Sequence, residues 1–360
     1  MSVTRNTRSV PAYVFGQGAF AELGSLVDAR RPGAALFYVD SFFQNTPLLQ
    51  ELPARSGDAV VLVDASREPT VEDVDALAEA ARAARSGGMS LCSLVGVGGG
   101  SVLDITKAVA NLLTNPGKAE EYQGWDLVKN PAVHKIGVPT LSGTGAECSR
   151  TCVLTNMRRR LKLGMNSDFT LFDQLLLDPS LTRTAPRAQF LFTGMDTFMH
   201  CFESSRGAYR NTIVDVLAAS AAALCREIFL GPGDMMDDDK REKMMVASYL
   251  GGMAAGNVGL VHPFSAGLSI VLHIPHGRAN CHALSVLGEF YPEESALLSE
   301  ILARQKVRLP KGICADLTED QYEALYQGTI IHEKPLANAL GEDFRAILTR
   351  PKVMELFRKM

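Results

Sequence analysis

Hydrophobic and polar positions change their period near residue 180. Before that point, short apolar runs alternate with amphipathic stretches. The runs at 10–15, 34–39, 59–63, 90–97, 135–138 and 175–177 have the length and flanks of strands. The longest are apolar at nearly every position, which predicts strands buried on both faces of a parallel sheet. Residues 151–155 and 161–165 predict two paired strands around the basic turn Arg158-Arg159-Arg160. Helices are predicted at 20–28, 70–85 and 102–113. From Ala185 onward the pattern is helical: about 186–206, 209–229, 238–256, 259–273, 278–288, 292–304, 319–329 and a tail near 342–358. The expected architecture is an α/β N-terminal Rossmann-like dinucleotide-binding domain, 1–181, followed by an all-α C-terminal domain, 182–360.

Local chemistry sharpens several of these elements. Thr70 is a candidate N-cap, with Glu72 and Asp73 in the first turn after it. Gly98-Gly99-Gly100-Ser101 lies between a predicted strand and a predicted helix, where backbone N–H groups can approach a pyrophosphate. The run lacks the last glycine of Gly-x-Gly-x-x-Gly. Its plainer reading is a tight turn with Ser101 capping the helix and Asp104 completing a capping box. Asp40 closes an apolar strand; there an acid can accept hydrogen bonds from adenosine ribose hydroxyls, or simply form a turn or N-cap. The stretch from Pro139 to Glu147 is rich in glycine and hydroxyl side chains, suited either to a cofactor groove or to an ordinary turn.

The length of 360 residues suits two cores. A net charge of -4, with basic residues scattered, excludes a polybasic nucleic-acid or membrane surface. No apolar stretch is long enough to span a bilayer, and no secretory signal is expected after Arg5 and Arg8. The seven cysteines contain no Cys-x-x-Cys pair, so a reducing cytoplasmic compartment is expected.

The chemistry concentrates in the helical half. Asp196 and His200 stand at i and i+4, on one face of a helix. A second segment adds His262 and His276. One carboxylate and three imidazoles suit Fe²⁺ or Zn²⁺ and disfavour Mg²⁺ or Ca²⁺. Four of the seven histidines fall between His200 and His276, which raises their standing above that of solitary surface histidines. His134, His282 and His332 have no assigned role. Met235-Met236 and Met244-Met245 are expected to fill the core.

These motifs, in order, resemble the iron-containing (group III) alcohol dehydrogenase family. The resemblance is carried by Gly98-Gly99-Gly100-Ser101-x-x-Asp104, Pro139-Thr140-x-x-Gly143-Thr144, Asp178-Pro179, Gly194-x-Asp196-x-x-x-His200, His262 and Pro275-His276-Gly277. It implies a dehydroquinate synthase-like fold, an NAD(P)-dependent alcohol dehydrogenase activity and one divalent metal on Asp196, His200, His262 and His276. It places Gly98, Gly99, Gly100, Ser101 and Asp104 at the pyrophosphate, and Thr140, Ser142 and Thr144 beside the nicotinamide half. It puts Lys162 in the cofactor groove and Asp40 at the adenosine ribose, favouring NAD over NADP. A homodimer and a small alcohol, aldehyde or sugar-acid substrate are implied in the same way. One position departs: Ala266 stands where many members carry another histidine, and His273 is the candidate replacement, three residues before His276 on a shared helical face. The segment from Val261 to Ser269 looks similar to the branch that oxidises C8 of 3-deoxy-octulosonate (Kdo) for lipopolysaccharide. Two other readings compete: a dehydroquinate synthase-like lyase, which needs a basic cluster for a phosphate leaving group, and a non-catalytic NAD-binding protein.

Overall fold

The computed structural model describes residues 9–256 and 258–360. The chain divides into two compact units. One runs to Leu141 and resumes with Ala146–Thr184; the other comprises Ser142–Gly145 and Ala185–Met360.

The first unit contains every strand among the described residues: β1 (Ala12–Phe15), β2 (Ala34–Asp40), β3 (Ala59–Val63), β4 (Leu91–Gly98), β5 (Gly124–Trp125), β6 (Lys135–Pro139), β7 (Thr151–Asn156), β8 (Leu161–Asn166) and β9 (Gln174–Leu177). Six form an all-parallel sheet in the order β1-β9-β6-β4-β2-β3. The other three form a small sheet in which β7 and β8 pair antiparallel around the basic turn, as expected. The apolar run of β2 has a simple cause: Leu36 and Tyr38 feed one core, and Ala35, Phe37 and Val39 feed another. Both faces are dry, so neither alternate position can be polar. Leu36, Phe37 and Val39 each contribute on the order of 1.5–3 kcal/mol by leaving water.

The helices of this unit are α1 (Leu23–Asp28), α2 (Pro47–Gln50), α3 (Val71–Ser86) and α4 (Gly100–Leu112). Thr70 caps α3 in a full capping box with Asp73. The expected cap on α4 is absent: Gly99 is the N-cap residue, and Ser101 lies inside the helix, so it cannot cap it. Asp104 turns away from the helix start. Its Oδ2 accepts the Val153 N–H at 3.0 Å and its Oδ1 lies 3.0 Å from Lys107 Nζ. A Cβ on Gly98 would sit 2.7 Å from Val102, so glycine there lets α4 approach β4. Entry into β2 is pinned by Asp58, whose side chain is inaccessible to solvent. It accepts from Arg31 Nη2 at 2.7 Å and from the backbone N–H groups of Ala35 and Arg55 at 2.8 Å each. Burial pushes this carboxyl up; Arg31 and the two N–H groups outweigh that and leave it below the ordinary range.

The second unit holds α5 (Arg187–Arg206), α6 (Thr212–Leu230), α7 (Asp238–Ala254), α8 (Val261–Leu272), α9 (His276–Val286), α10 (Pro292–Gln305), α11 (Glu319–Ile330), α12 (Glu333–Leu340), α13 (Phe344–Ile347) and α14 (Arg350–Arg358). The expected single C-terminal tail is two helices, α13 and α14, and α12 precedes them unforeseen. α5 is the axis: Phe190 to Ser204 is buried without a break, so its surroundings close on all sides. Met235, Met244 and Met245 fill the core as expected.

Ser142–Gly145 packs among these helices. The N–H groups of Gly143 and Gly145 donate to Ser248 Oγ at 2.8 and 3.3 Å, and Thr197 Oγ1 donates to the Gly143 carbonyl at 2.7 Å. Gly143 has φ +135, and a Cβ there would stand 2.0 Å from the Thr193 carbonyl oxygen. Gly143→Ala is therefore expected to cost about 2–4 kcal/mol in urea unfolding. Asp58→Asn should cost about 1–3 kcal/mol at pH 7. Because the folded-state pKa is depressed, that contribution is present above the unfolded value near 4 and is lost as pH falls through the lower folded one. The gap between wild type and Asp58→Asn should then close on acidification, as followed by thermal melts across pH.

Candidate metal centre

The centre is built on three helices of the second unit. Asp196 and His200 project from one face of α5, His262 stands in the first turn of α8, and His276 opens α9. One ligand-capable atom each from Asp196, His200 and His262 lies within 4.8 Å of the other two. Asp196 Oδ1 is 3.5 Å from His200 Nε2, 3.3 Å from His262 Nε2 and 3.8 Å from His276 Nε2. The His200 and His262 rings stack with centroids 4.8 Å apart. The three predicted imidazoles thus surround one oxygen of the fourth predicted residue, Asp196.

Asp196 is 1% exposed and stays ionised. Burial alone would raise its pKa; His200, His276 and His262 override that and hold it well below the carboxylate range. Burial keeps His200 neutral, its pKa pushed down to about 4 against the pull of Asp196. His262 goes the other way, up to about 9: burial would lower it, and the Asp196 and Glu203 carboxylates outweigh burial. A cluster that makes one of its imidazoles cationic has room in its electrostatics for a cation. The second oxygen of the carboxylate points the same way, since Asp196 Oδ2 is buried with no hydrogen-bond partner. Buried polar atoms of that kind call for a ligand. The donor set, one carboxylate with imidazoles, fits a borderline metal such as Fe²⁺ or Zn²⁺.

Three further residues orient the ring of candidates, and the sequence reading assigned none of them. Glu203 Oε2 accepts from His262 Nδ1 at 2.5 Å, and Glu203 Oε1 accepts the Val261 N–H at 2.6 Å. The Tyr291 hydroxyl donates to the same Oε1 at 3.3 Å and accepts the Leu260 N–H. This holds the Nδ1–H of His262 and leaves Nε2 as the nitrogen turned to Asp196, where it would offer its lone pair once a cation takes the place of its proton. Asn280 Nδ2 donates to Asp196 Oδ1 at 2.7 Å. The spacing held the signal: Glu203 is seven residues after Asp196, and Asn280 four after His276, each on its ligand's helical face.

His273 does not share a helical face with His276. α8 ends at Leu272, His273 adopts a left-handed conformation with φ 54, and α9 begins only at His276. The two glycine-free residues between, Ile274 and Pro275, break the helical register. Ala266 is buried in α8, one turn beyond His262. His134 Nδ1 pairs with Ser93 Oγ at 2.9 Å, and His282 is buried.

In the first unit, Gly98 ends β4 and Gly99-Gly100 begins α4. Asp40 ends β2 and caps a short 3-10 turn, accepting the Phe42 N–H at 3.0 Å, so its turn role is real and leaves its other oxygen free. The Thr140 N–H donates to the Gly98 carbonyl at 3.0 Å. Lys162 is buried on β8 and paired with Glu68 at 3.0 Å. Asp104 accepts from the Val153 N–H and pairs with Lys107. Lys107, fully buried, donates to the Ala146 carbonyl at 2.8 Å and to that of Thr151. In the second unit, Ser142 is buried, and Thr144 lies in the loop held by Ser248.

A sequence model of the iron-containing alcohol dehydrogenases matches residues 11–179, and one of the C-terminal region of the same family matches residues 190–324. The chain belongs to the iron-containing alcohol dehydrogenase family. It is 32% identical over 305 residues to the sulfoacetaldehyde reductase of Bilophila wadsworthia, covering 82% of this chain and 78% of that protein. To the NAD-dependent methanol dehydrogenase of Bacillus methanolicus it is 29% identical over 276 residues, covering 75% and 71%. Its fold matches the crystal structure of sulfoacetaldehyde reductase from Bifidobacterium kashiwanohense in complex with NAD+ at a TM-score of 0.81, with 23% identity and 99% and 98% of the two chains covered. Like its family, this alcohol dehydrogenase is an oxidoreductase.

If Glu203 orients His262, Glu203→Gln and Tyr291→Phe should weaken metal affinity, the first by about 10–100-fold. Competition with a chelator of known affinity, on protein whose circular dichroism is unchanged, measures this. Wild-type affinity in Glu203→Gln would remove Glu203 from the centre.

Proposed function

We propose that this family member transfers hydride between NAD and the carbinol carbon of a small alcohol or aldehyde, with Asp196, His200, His262 and His276 holding one Fe²⁺ or Zn²⁺. The observation that carries the reading is the convergence of those side chains on one buried carboxylate oxygen. When bound, the cation supplies Lewis-acid polarisation of the substrate oxygen. The chain supplies the rest. Asp196 offsets the charge of the site, and Asn280 holds it in one orientation. Glu203 keeps His262 in the tautomer that presents Nε2. The glycines at the start of α4 leave backbone N–H groups open to a pyrophosphate, Ser101 stands beside them, and Asp40 accepts from ribose hydroxyls. Thr140, Ser142 and Thr144 flank the nicotinamide half, and Lys162 lies in the groove. The proton released on alcohol oxidation passes to water or to His273, which is exposed.

Short aldehydes and alcohols are the substrates we favour, since the relatives above are named for such compounds. Oxidation of Kdo at C8, in lipopolysaccharide synthesis, is the finer alternative and rests on the segment from Val261 to Ser269. The lyase reading is disfavoured, because it needs several basic residues for a phosphate leaving group and the sequence offers only Arg278 and Arg206 near the ligands, of which Arg206 is engaged by Glu294 at 2.6 Å. Seven unpaired cysteines support a reducing, cytoplasmic setting, and a homodimer is part of the same proposal.

The decisive experiment restores Fe²⁺ or Zn²⁺ to stripped enzyme and follows NADH with a panel of short alcohols, their aldehydes and Kdo. His262→Ala should lose both bound metal and turnover, with NADH binding by fluorescence largely kept. Full activity in that variant would contradict the ligand assignment.

A further inference from the structure

In a parallel sheet of this kind, ligands meet the carboxyl ends of the strands. Asp40 is the last residue of β2, and its strand partner is Val63, the last residue of β3. The next residue after Val63 is Asp64, so two adjacent strands end side by side on two carboxylates. They sense each other: burial is the main influence that raises the Asp40 carboxyl, and the charge of Asp64 adds to it. Asp64 is itself exposed and kept ionised, because the Ser66 hydroxyl and N–H hold its carboxyl below the ordinary range.

The cation that acts on Asp64 is Arg67, and it is already paired. Arg67 is gripped by Asp73 through two bonds, Nη1 to Oδ2 at 2.8 Å and Nη2 to Oδ1 at 2.7 Å. This fork uses two of the five guanidinium N–H groups and sets Arg67 against a carboxylate of its own. An adenosine 2′-phosphate carries about 1.5 to 2 negative charges near neutral pH, as other phosphomonoesters do. Arriving at Asp40, it would face two carboxylates and, in Arg67, a guanidinium already paired with Asp73.

We propose that Asp64 is a second specificity-determining residue, which together with Asp40 excludes cofactors bearing a 2′-phosphate. The inference rests on the reading of Asp40 as the ribose-binding residue. Asp40 alone both accepts from the ribose hydroxyls and repels a phosphate. Asp64 acts only by charge, and that difference makes the two roles separable.

The test compares the ratio of kcat/KM with NADP to that with NAD in wild type, Asp40→Asn, Asp64→Asn and the double variant. It also measures inhibition by 2′,5′-ADP and by 5′-AMP at low and high salt. Asp64→Asn should raise the NADP/NAD ratio about tenfold, the scale of one repulsive charge pair in a half-wet site. It should tighten 2′,5′-ADP and leave 5′-AMP comparatively unmoved. Added salt should narrow the gap between wild type and Asp64→Asn, since repulsion between exposed charges is screened. A merely structural Asp64 would shift both nucleotides alike and show no such salt dependence. If Asp40→Asn changes the ratio while Asp64→Asn does not, in either background, the role of Asp64 is overturned and the ribose reading stands. If neither changes it, the ribose reading itself is wrong.

Discussion

One buried carboxylate sets the terms for the helical half of this protein. Asp196 sits at 1% exposure inside a helix whose middle turns touch no water. Removing a charge from solvent costs several kcal/mol unless something opposite in sign repays it. Among the described residues that something is a set of imidazoles, and one of them, His262, is driven cationic to meet the need. Histidine is a weak permanent counter-ion near neutral pH, and the same donor set could hold a metal ion.

Around that carboxylate the chain spends its other polar groups on orientation. Glu203 and Tyr291 decide which nitrogen His262 presents, and Asn280 decides how Asp196 is turned. Thr197 of α5, which directly follows Asp196, and Ser248 of α7 hold a loop of the otherwise α/β half of the sequence. A shift of α5 would therefore disturb the candidate ligands and the loop together. Gly143 makes the close approach possible, since any side chain there would meet the Thr193 carbonyl.

The sheet unit shows a different economy of charge. Its internal ions are Asp104 with Lys107, both on α4 and both also bonded to β7, and Lys162 of β8 with Glu68 of the loop before α3. Its outward-facing acids gather where strands end. Asp104 illustrates how a motif position can be structural: the residue matches a cofactor-binding pattern in sequence, yet both its oxygens are committed to the protein.

Much of this was readable along the chain. Apolar runs with dry flanks gave the parallel strands, because a strand covered on both faces tolerates no polar alternation. Period and helix start signals located α3 and α5 to within a residue or two. Helical spacing alone put Asp196 and His200 on one face, and would have put Glu203 there as well. Other features lay beyond any local pattern. The cap on α4 went to Gly99 rather than Ser101 because the backbone entering the helix, not the side-chain type, chooses the cap. His273 fell out of register because α8 stops in a left-handed residue that no periodicity announces. The meeting of His262 and His276 with Asp196, 66 and 80 residues apart in sequence, was decided by helix packing. Side-chain chemistry and spacing are local properties and survive in the linear order; convergence, pairing and burial depend on which surfaces the fold brings together.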